Sequence, residues 1–575
     1  MKGTVSSTGS ANIDMSVHHA EAPTQWQNAH VRPKKLSPGK PPLQARLTTP
    51  VSVERMGPWL DKYPNKSAAG QLRSGFSYGF FIPFNWSPEP QSAPNLQSAR
   101  ELPNVLAEKL GKEIRLGRFR GPFNFPPFPN LRVSPLGIVP KKESGKYRLI
   151  HHLSYPKGMS VNDGIPSDET AVTYISFDKA VDLVRNAGPG ALMAKSDIES
   201  AFRLLPVHPD CHHLLGAKFE NLYYYDTCLP MGCSISCFYF ELFSTFLEWV
   251  ARKITRLTAI THYFDDFLIV GPAGSDVCAA ALAQFKDAMA QFGVPLSPEK
   301  TIGPVPVITF LGIEIDSVAM EFRLPKEKID KLLDLISGCI SVGKVTLTQM
   351  QSLLGSLNFA CRVMPAGRIF SRRLMIATRG VKQRHHRIRI TAHLRSDLNT
   401  WKLFLSDYNG RTCFQETECS NVDMDLFFAA SSNTGFRVRF GNKLCASSWP
   451  AFWVSREWNV EATLIELVPV AVAMDILGPQ LANKRIRLHL QSIGGAHAIN
   501  YLASPSPQVL DLIRFIVLKC LTFNVWLKAN ALTVSNESVS GVLTGFYSQD
   551  LLGRRLQEPL EEVDCPHSIW DVLGT

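Results

Sequence analysis

The chain has 575 residues, which is too long for one domain and predicts three or four. Its composition, 45% hydrophobic and 19% charged, is that of a globular protein with an ample core. The first twenty residues lack an apolar leader, and the longest apolar stretch, 464–477, is interrupted by Glu466 and Asp475. These features argue against a secretory signal and against a membrane span.

Twelve cysteines are scattered along the chain, and none forms a CxxC pair. Cys233 and Cys237 are the nearest neighbours, and no matching His/Cys pair follows them at zinc-site spacing. We therefore expect reduced, mostly buried thiols in a cytoplasmic or nuclear protein that is not secreted.

The net charge of +11 is concentrated in two segments. Residues 109–148 contain ten Lys or Arg against two acids, and residues 362–395 contain ten Lys or Arg and no acid. A solvated basic face is the ordinary explanation of one such segment. Two of them, the first interleaved with aromatic residues such as Phe119 and Tyr147, favour contact with a phosphate backbone.

The periodicity of apolar residues predicts an α+β chain. Residues 1–50 have few large apolar side chains and indicate a disordered tail. The later elements are a helix at 104–116, two strands at 135–140 and 147–150, a strand at 192–197, helices at 237–253 and 275–292, a strand at 307–315, helices at 326–340 and 347–360, strands at 436–440 and 485–490, and helices at 466–477 and 508–521.

Asp265 and Asp266 lie between two short apolar segments that predict buried strands, with the acids at the turn. Two neighbouring buried acids need a cation, and a divalent metal is the usual one. A surface Asp-Asp turn is the alternative. Asp197, which closes a strand 68 residues earlier, adds a third carboxylate. An acid at a strand end plus an acid pair on a hairpin is what a two-metal phosphoryl-transfer site requires.

Seven collinear segments resemble those of reverse transcriptases from DIRS-type (tyrosine-recombinase) retrotransposons. They are 134–142, 146–154, 160–163, 196–202, 229–233, 263–266 and 310–313. The resemblance covers residues 51–546 and implies an α+β multidomain fold, a right-hand polymerase (fingers, palm and thumb) followed by an RNase H-like α/β domain. The implied divisions are a tail at 1–50, an N-terminal extension at 51–130, fingers and palm at 131–320, thumb helices at 321–361, a basic connection at 362–424, the RNase H-like domain at 425–546 and a C-terminal tail at 547–575.

The resemblance also implies residue roles. Asp197, Asp265 and Asp266 would be catalytic and would bind two Mg²⁺ or Mn²⁺ ions. The dNTP-binding residues would be Lys141, Arg148, Phe202, Met231, Gly232 and Lys300, and the primer grip would be Phe310, Leu311 and Gly312. Phe202 would exclude a ribose 2′-OH, and Lys300 would protonate the leaving pyrophosphate. The alternatives are a general basic face for Lys141 and Arg148, a core aromatic for Phe202 and a surface lysine for Lys300.

In the RNase H-like segment the implied metal ligands are mostly replaced. Glu466 is retained. The other acid or histidine positions fall on Ala429, Gln491, Ala531 and Gly541. Because one carboxylate cannot hold two divalent cations, we expect this domain to lack RNase H activity.

Two functions are consistent with these features. The first is an RNA-dependent (and DNA-dependent) DNA polymerase that acts on an RNA template, a DNA primer, their RNA–DNA hybrid and dNTPs. The alternative is a non-catalytic nucleic-acid-binding protein, a domesticated or decaying relic of a retroelement. The intact acid trio favours the first function and the eroded nuclease favours the second, while no motif indicates an oligomeric state.

Overall fold

A computed structural model of the chain describes residues 47–86, 89–141, 145–409, 412–413, 426–482, 484–523, 525–531 and 561–574. These residues belong to one structural unit, Leu47–Thr575. Residues 1–46 of the predicted disordered tail lie outside the described residues. The prediction is wrong for its last residues, because the Thr49 hydroxyl donates a hydrogen bond of 2.7 Å to the Leu204 carbonyl.

Helices occur throughout this unit. In chain order they are α1 (Val53–Lys62), α2 (Lys66–Tyr78), α3 (Gln97–Glu101), α4 (Pro103–Arg115), α5 (Phe177–Ala187), α6 (Ser234–Thr255), α7 (Val277–Phe292), α8 (Lys326–Val342), α9 (Leu347–Ala360), α10 (Gly367–Ala377), α11 (Ala392–Asp407), α12 (Ala451–Ser455), α13 (Ala462–Ile476), α14 (Ile493–Tyr501), α15 (Pro507–Phe523) and α16 (His567–Gly574). No helix in the described part of the chain is long and apolar enough to cross a membrane.

The strands alternate with the helices, as the periodicity predicted. They are β1 (Gln91–Ser92), β2 (Phe119–Phe123), β3 (Arg132–Val133), β4 (Leu136–Pro140), β5 (Tyr147–His151), β6 (Leu192–Asp197), β7 (Gly216–Phe219), β8 (Leu222–Asp226), β9 (Ile260–Tyr263), β10 (Asp266–Gly271), β11 (Ile302–Val305), β12 (Val307–Phe310), β13 (Ile313–Asp316), β14 (Glu321–Arg323), β15 (Lys344–Thr346), β16 (Arg387–Arg389), β17 (Thr412–Cys413), β18 (Leu426–Ser431), β19 (Gly435–Phe440), β20 (Lys443–Ser447), β21 (Arg485–Leu490), β22 (Trp526–Ala531) and β23 (Glu561–Glu562).

A four-stranded antiparallel sheet, in the order β11-β6-β10-β9, forms the centre of the fold. After Asp266, strand β10 is apolar, as expected of a strand that is covered on both faces. Phe267 and Ile269 belong to one core together with α6 and α7, and Leu268 and Val270 belong to another that includes α5. The sheet therefore holds the β9–β10 turn, where the acid pair lies, on a rigid base.

Strands β4 and β5 form the two-stranded antiparallel unit that the sequence predicts. A five-stranded sheet, in the order β1-β3-β7-β8-β2, lies beside it. Helices α3 and α4 cover this region, and Leu106 and Leu110 of α4 share a core with Leu136 of β4. These elements form a layer that is distinct from the central sheet.

The predicted single strand at 307–315 is wrong. The segment is a hairpin of β12 and β13, in which Phe310 pairs with Ile313 across a two-residue turn. Both turn residues, Leu311 and Gly312, have positive φ angles, +48° and +75°. An apolar run of this length hides the turn, because only Gly312 is a residue that commonly marks one.

Helices α8 to α11 form a helical layer after the central sheet. The predicted basic connection, 362–424, contributes β16, which pairs with β15 between α8 and α9, and the fully buried Trp401 of α11. The C-terminal part has the meander β18-β19-β20, the parallel pair β21-β22 and the buried helix α13. Strand β23 and helix α16, from the predicted C-terminal tail, pack onto it, with Ile569 fully buried.

Candidate active site

Asp197, Asp265 and Asp266 meet at one end of the central sheet. Asp197 ends β6 and is the cross-strand partner of Asp266, the first residue of β10. Asp265 lies in the turn, and its carbonyl accepts a 3.0 Å hydrogen bond from the Ile198 amide. A carboxylate oxygen from each residue lies within 4.8 Å of the others. Residues separated by 68 positions in the chain are thereby assembled into one cluster.

The turn that presents Asp265 is conformationally unusual. Tyr263 pairs with Asp266, so Phe264 and Asp265 form a two-residue hairpin loop. Phe264 has a φ of +56°, a value that bulky residues rarely adopt. The Tyr174 ring, 4.3 Å from the Phe264 ring between centroids, and the Phe202 ring, at 6.0 Å, pack against it. This packing holds a strained turn in place, as is common at functional sites.

The three carboxylates repel one another because they are close and partly buried. Burial and the charge of Asp197 raise the pKa of Asp265. Burial, together with the charges of Asp265 and Asp197, raises the pKa of Asp266 to about 6. A cluster of this kind gains most from a bound divalent cation, because the cation offsets charge that the protein leaves uncompensated.

Lys300 provides part of that compensation. Its ammonium donates hydrogen bonds of 2.9 Å and 2.8 Å to the two carboxylate oxygens of Asp197. Partial burial opposes the charge of this lysine, but the bonds to Asp197 and the other two acids raise its pKa. The side chain remains 60% exposed, so it can leave Asp197 at little cost.

The donor set fits a hard divalent cation. Carboxylate oxygens are the ligands that Mg²⁺ and Mn²⁺ prefer, and this trio supplies up to six of them. Among the described residues, no other cluster of three or more His, Cys, Asp or Glu side chains comes as close together. The residues present therefore suit one or two Mg²⁺ or Mn²⁺ ions.

We expect Mn²⁺ affinity for this cluster to rise with pH and to level off above about pH 6. Below that pH, binding must displace the proton of Asp266, which costs about tenfold in affinity per pH unit for one proton. Titration of the metal-free protein between pH 5 and 7.5 by calorimetry measures this slope. Asp266→Asn should flatten it, and an affinity that does not depend on pH would contradict the assignment.

Phe202 lies beside the cluster, in a 3₁₀ turn, Ala201–Leu204. Its ring is 9% exposed and makes edge contacts with Phe240 of α6 and Phe264 of the turn. The Phe202 ring is therefore a core aromatic that also packs against the turn carrying Asp265, and its exclusion of a ribose 2′-OH stays a prediction.

Met231 and Gly232 lie just before α6, which begins at Ser234. The Met231 side chain is 57% exposed. A Cβ on Gly232 would lie 2.1 Å from the His151 carbonyl oxygen of β5, so only glycine permits this approach of two backbones. The Asn162 side chain contacts the same stretch of backbone. Its amide group donates a 2.8 Å hydrogen bond to the Gly232 carbonyl and accepts a 2.9 Å hydrogen bond from the Ser234 amide. Asn162 was missed as a site residue, although it lies inside one of the recognised segments.

The two predicted dNTP-binding cations of the β4–β5 hairpin, Lys141 and Arg148, are exposed and differ in their distance from the acids. The charge of Arg148, on β5, acts to lower the pKa of Asp265, so this guanidinium lies within electrostatic range of the cluster. Lys141 follows β4 at the far end of the hairpin, where its amide donates 2.8 Å to the Lys146 carbonyl. The structure therefore places Arg148 near the acids and Lys141 at the hairpin tip.

The predicted primer grip is the turn of the β12–β13 hairpin. Phe310 is buried, while the Gly312 carbonyl accepts a 2.8 Å hydrogen bond from Lys328 of α8. Lys195 of β6 donates 2.8 Å to the Thr309 carbonyl. Two lysines thus connect this turn to the strand that carries Asp197 and to the helical layer.

An ion-pair cluster beside Phe202 was not found from the sequence. The Arg203 guanidinium lies 2.8 Å from Asp226 and 3.1 Å from Glu113, and it also donates 3.1 Å to the Cys228 carbonyl. Asp226 is 1% exposed and Arg203 is 14% exposed. Asp226, Cys228 and Glu113 are 23, 25 and 90 positions from Arg203, so no local pattern could reveal them.

In the C-terminal part, the retained acid has a structural partner. The Glu466 carboxylate of α13 accepts hydrogen bonds from the Gln491 amide and from the amide and hydroxyl of Ser492, the latter at 2.5 Å. Ser492 is also the N-cap of α14. Ala429 lies on β18 and Ala531 ends β22. Gly541 lies outside the described residues.

Residues 139–315 match the family profile described as reverse transcriptase (RNA-dependent DNA polymerase). The Gag-Pro-Pol polyprotein of Human T-cell leukemia virus 3 (strain 2026ND) is 26% identical over 282 residues, which cover 48% of this chain and 17% of the relative. Protein P of Heron hepatitis B virus is 30% identical over 168 residues, covering 28% of this chain and 20% of the relative. The chain thus spans a fifth or less of these curated relatives.

Among solved structures, the foamy viral protease-reverse transcriptase dRH in complex with double-stranded DNA is 17% identical, with a TM-score of 0.44, covering 86% of this chain and 84% of that one. The foamy viral protease-reverse transcriptase in complex with RNA/DNA hybrid is 15% identical, with a TM-score of 0.45, covering 84% and 63%. The family match and the mixed helix-and-sheet architecture confirm the predicted fold class, a polymerase followed by a further domain. The chain therefore contains a reverse transcriptase domain of the type found in retroelement and viral polyproteins.

Proposed function

We propose that the chain is a DNA polymerase that copies RNA and DNA templates by two-metal phosphoryl transfer. The observation that carries the proposal is the convergence of Asp197, Asp265 and Asp266 within 4.8 Å on a rigid sheet end. Two Mg²⁺ or Mn²⁺ ions bound there would activate the primer 3′-hydroxyl and stabilise the charge on the phosphate it attacks. The substrates are a template, a DNA primer and dNTPs.

The surrounding residues fit the positions that such a reaction needs. Arg148, near the acids, and Lys141, at the hairpin tip, pair with the triphosphate. Phe202 lies beneath the sugar, where its ring excludes a 2′-hydroxyl, and Met231 and Gly232 lie against the new base pair. Phe310, Leu311 and Gly312 hold the primer end. The hydrogen bonds of Lys195 and Lys328 fix the position of this turn relative to the strand that ends at Asp197.

Lys300 has a part in this scheme that its contacts support. Its ammonium pairs with Asp197 when no cation offsets that carboxylate. A bound cation would compete for the same oxygens and would release the lysine. The released ammonium would keep its proton at neutral pH because the ordinary pKa of a lysine lies well above 7. A protonated ammonium beside the triphosphate can then protonate the departing pyrophosphate.

Primer extension on poly(rA)/oligo(dT) with dTTP and Mg²⁺ or Mn²⁺ tests the proposal. The wild-type chain should add nucleotides to the primer and should do the same on a DNA template. A folded chain that binds the hybrid and adds none would overturn the polymerase and leave the alternative, a nucleic-acid-binding relic of a retroelement. The position of Glu466 supports a decayed nuclease under both functions.

The basic segment supports a nucleic-acid partner. Arg379, Lys382, Arg384, Arg387 and Arg389 are all exposed, around the strand that joins α10 to α11. We expect hybrid affinity to fall steeply between 50 and 200 mM salt, by about 10³-fold for six phosphate contacts. Fluorescence anisotropy with a labelled hybrid measures how the affinity depends on salt concentration. In the variant Arg384→Gln plus Arg387→Gln, this salt dependence should correspond to about two fewer phosphate contacts. An unchanged slope would remove these residues from the interface.

We propose that the C-terminal domain is an RNase H fold that has lost its activity. No carboxylate is present at the other implied metal-ligand positions, which are Ala429, Gln491, Ala531 and Gly541. The Glu466 carboxylate accepts hydrogen bonds from the turn before α14. Incubation with a labelled RNA–DNA hybrid and Mn²⁺ should release no RNA fragments. Fragments that disappear in Glu466→Gln would contradict the loss, whereas fragments that persist in that variant would indicate a contaminating nuclease.

The order of the seven segments supports an origin in a DIRS-type retrotransposon. The divisions at 51–130, 131–320, 321–361, 362–424, 425–546 and 547–575 remain our proposal for the domains, and residues 47–50 belong to the fold rather than to the N-terminal tail. The ten cysteines whose side chains the structure describes are free thiols, which supports a cytoplasmic or nuclear protein. Host use of the chain, as a domesticated element, would be consistent with a lost nuclease.

A further inference from the structure

His262 lies buried on β9, three residues before Asp265, between two carboxylates of α6. Its Nδ1 is 2.5 Å from a Glu248 oxygen and its Nε2 is 3.2 Å from a Glu241 oxygen. The His262 side chain is 4% exposed, and the glutamates are partly buried, at 14% for Glu248 and 15% for Glu241. The imidazole also stacks on Phe267, its cross-strand partner on β10, with 5.4 Å between ring centroids.

A protonated imidazole satisfies this geometry. Each carboxylate accepts a hydrogen bond, and a neutral imidazole has one N–H to donate, whereas the imidazolium has two. Burial alone would lower the pKa of His262, but the hydrogen bonds to Glu241 and Glu248 raise it to about 9. His262 is therefore cationic at neutral pH.

Other ionisable groups face the same cluster. On the Glu248 side, Arg252 pairs with that carboxylate at 2.7 Å, and burial with the Glu248 charge raises the pKa of Tyr63. On the Glu241 side, burial raises the pKa of Tyr174 and of Cys237. These three groups therefore stay neutral, and Arg252 stays charged, while His262 loses its proton.

We propose that His262 is a positioning residue that fastens the carboxylate hairpin, defined as β9, the Phe264-Asp265 turn and β10, to helix α6. The proposal rests on the polymerase function proposed above. When His262 is protonated, both glutamates are paired and β9 is held along its length, since Arg252 also donates 2.9 Å to the Ile260 carbonyl. When His262 is neutral, one of its ring nitrogens presents a lone pair instead of an N–H to a carboxylate oxygen, and this repulsion pushes β9 from α6.

The strained turn makes this displacement consequential. Phe264 keeps its φ of +56° because packing around the hairpin enforces it. A hairpin released from α6 can relax at Phe264, which moves Asp265 and Asp266 relative to Asp197. Because metal geometry is lost with small displacements of its ligands, the released state should bind cations weakly and catalyse poorly.

The test is the alkaline limb of the pH–kcat profile of the full chain. In the wild type, kcat should fall with a midpoint near pH 9. Glu248→Gln and Glu241→Gln each keep a hydrogen-bonding side chain but remove one charge, so each should move the midpoint down by about one to three pH units. The kcat of His262→Gln should be lower than that of the wild type and should show no fall near pH 9.

The His262 titration is followed in the same proteins by NMR of ¹³C-labelled histidine. The inference stands if the alkaline limb moves with the His262 midpoint, and it is overturned if the limb stays while the His262 midpoint moves. It is also overturned if His262→Gln has the kcat and pH profile of the wild type. Thermal unfolding midpoints identify a variant that fails to fold, in which case the other glutamate variant decides.

Failure of the polymerase proposal would be recognised separately. If the wild type adds no nucleotide at any pH, the affinity for Mn²⁺ alone becomes the readout between pH 7.5 and 10. It should drop near pH 9 in the wild type and at lower pH in Glu248→Gln. An affinity that is flat over this range in both proteins would overturn the role of His262 without reference to catalysis.

Discussion

Asp265→Asn should reduce nucleotide incorporation by about 10³-fold or more, because a two-metal site contributes several kcal/mol to the transition state and each 1.36 kcal/mol is tenfold in rate. Asparagine keeps the size of the side chain and removes one charged ligand oxygen. Steady-state primer extension with saturating dTTP measures the change in kcat. Asp266→Asn and Asp197→Asn should show losses of the same kind.

The matched control is Asp287→Asn, which removes a charge from the exposed face of α7 and should leave incorporation unchanged. Folding provides a second control. Because the pKa values of Asp265 and Asp266 are raised, their ionised forms destabilise the metal-free protein near neutral pH. The metal-free Asp265→Asn protein should therefore unfold at the same temperature as the wild type or higher. Incorporation within tenfold of the wild type would exclude Asp265 as a metal ligand.

Asp226→Ala should lower the free energy of unfolding by about 3–5 kcal/mol, the largest stability effect that we expect in this chain. The change leaves the buried Arg203 guanidinium without its best partner, which lies 2.8 Å away. Glu113 alone then faces that charge. Thermal unfolding followed by tryptophan fluorescence should show a clear drop in the midpoint, together with loss of incorporation if Phe202, the neighbour of Arg203, shifts.

The control for this prediction is Asp61→Ala, which breaks the exposed Arg73–Asp61 pair at 2.6 Å. Exposed pairs contribute about 0–1 kcal/mol, so the midpoint should hardly move. A second change, Arg203→Met, should recover part of the stability lost in Asp226→Ala, because it removes the orphaned charge. If Asp226→Ala is no worse than Asp61→Ala, the buried pair does not stabilise the fold.

Much of the secondary structure could be predicted because it depends on local periodicity. The strand at 192–197, the helix at 347–360 and the strand at 485–490 have the predicted bounds. The errors have physical reasons. Residues 307–315 contain an apolar run whose turn is formed partly by Leu311, a residue that gives no turn signal.

The candidate site could be predicted only where its residues are contiguous or belong to recognised segments. Asp265 and Asp266 are adjacent, and Asp197 ends a strand, so their convergence followed from an ordinary antiparallel sheet. The pairs of His262 with Glu241 and Glu248 were not predicted, since they depend on how α6 packs on β9. The same is true of Asn162, which bonds to Gly232 across 70 positions.

The sequence by itself determined the class of chemistry, because carboxylate spacing and strand periodicity are local properties that survive in the order of residues. Through the family resemblance it also predicted that the C-terminal domain has lost metal-binding acids, and this loss stays a proposal. Only the tertiary structure decided what the remaining charges do. Arg203, His262 and Lys300 each pair with acids distant in the chain, and burial at those contacts sets which groups are charged.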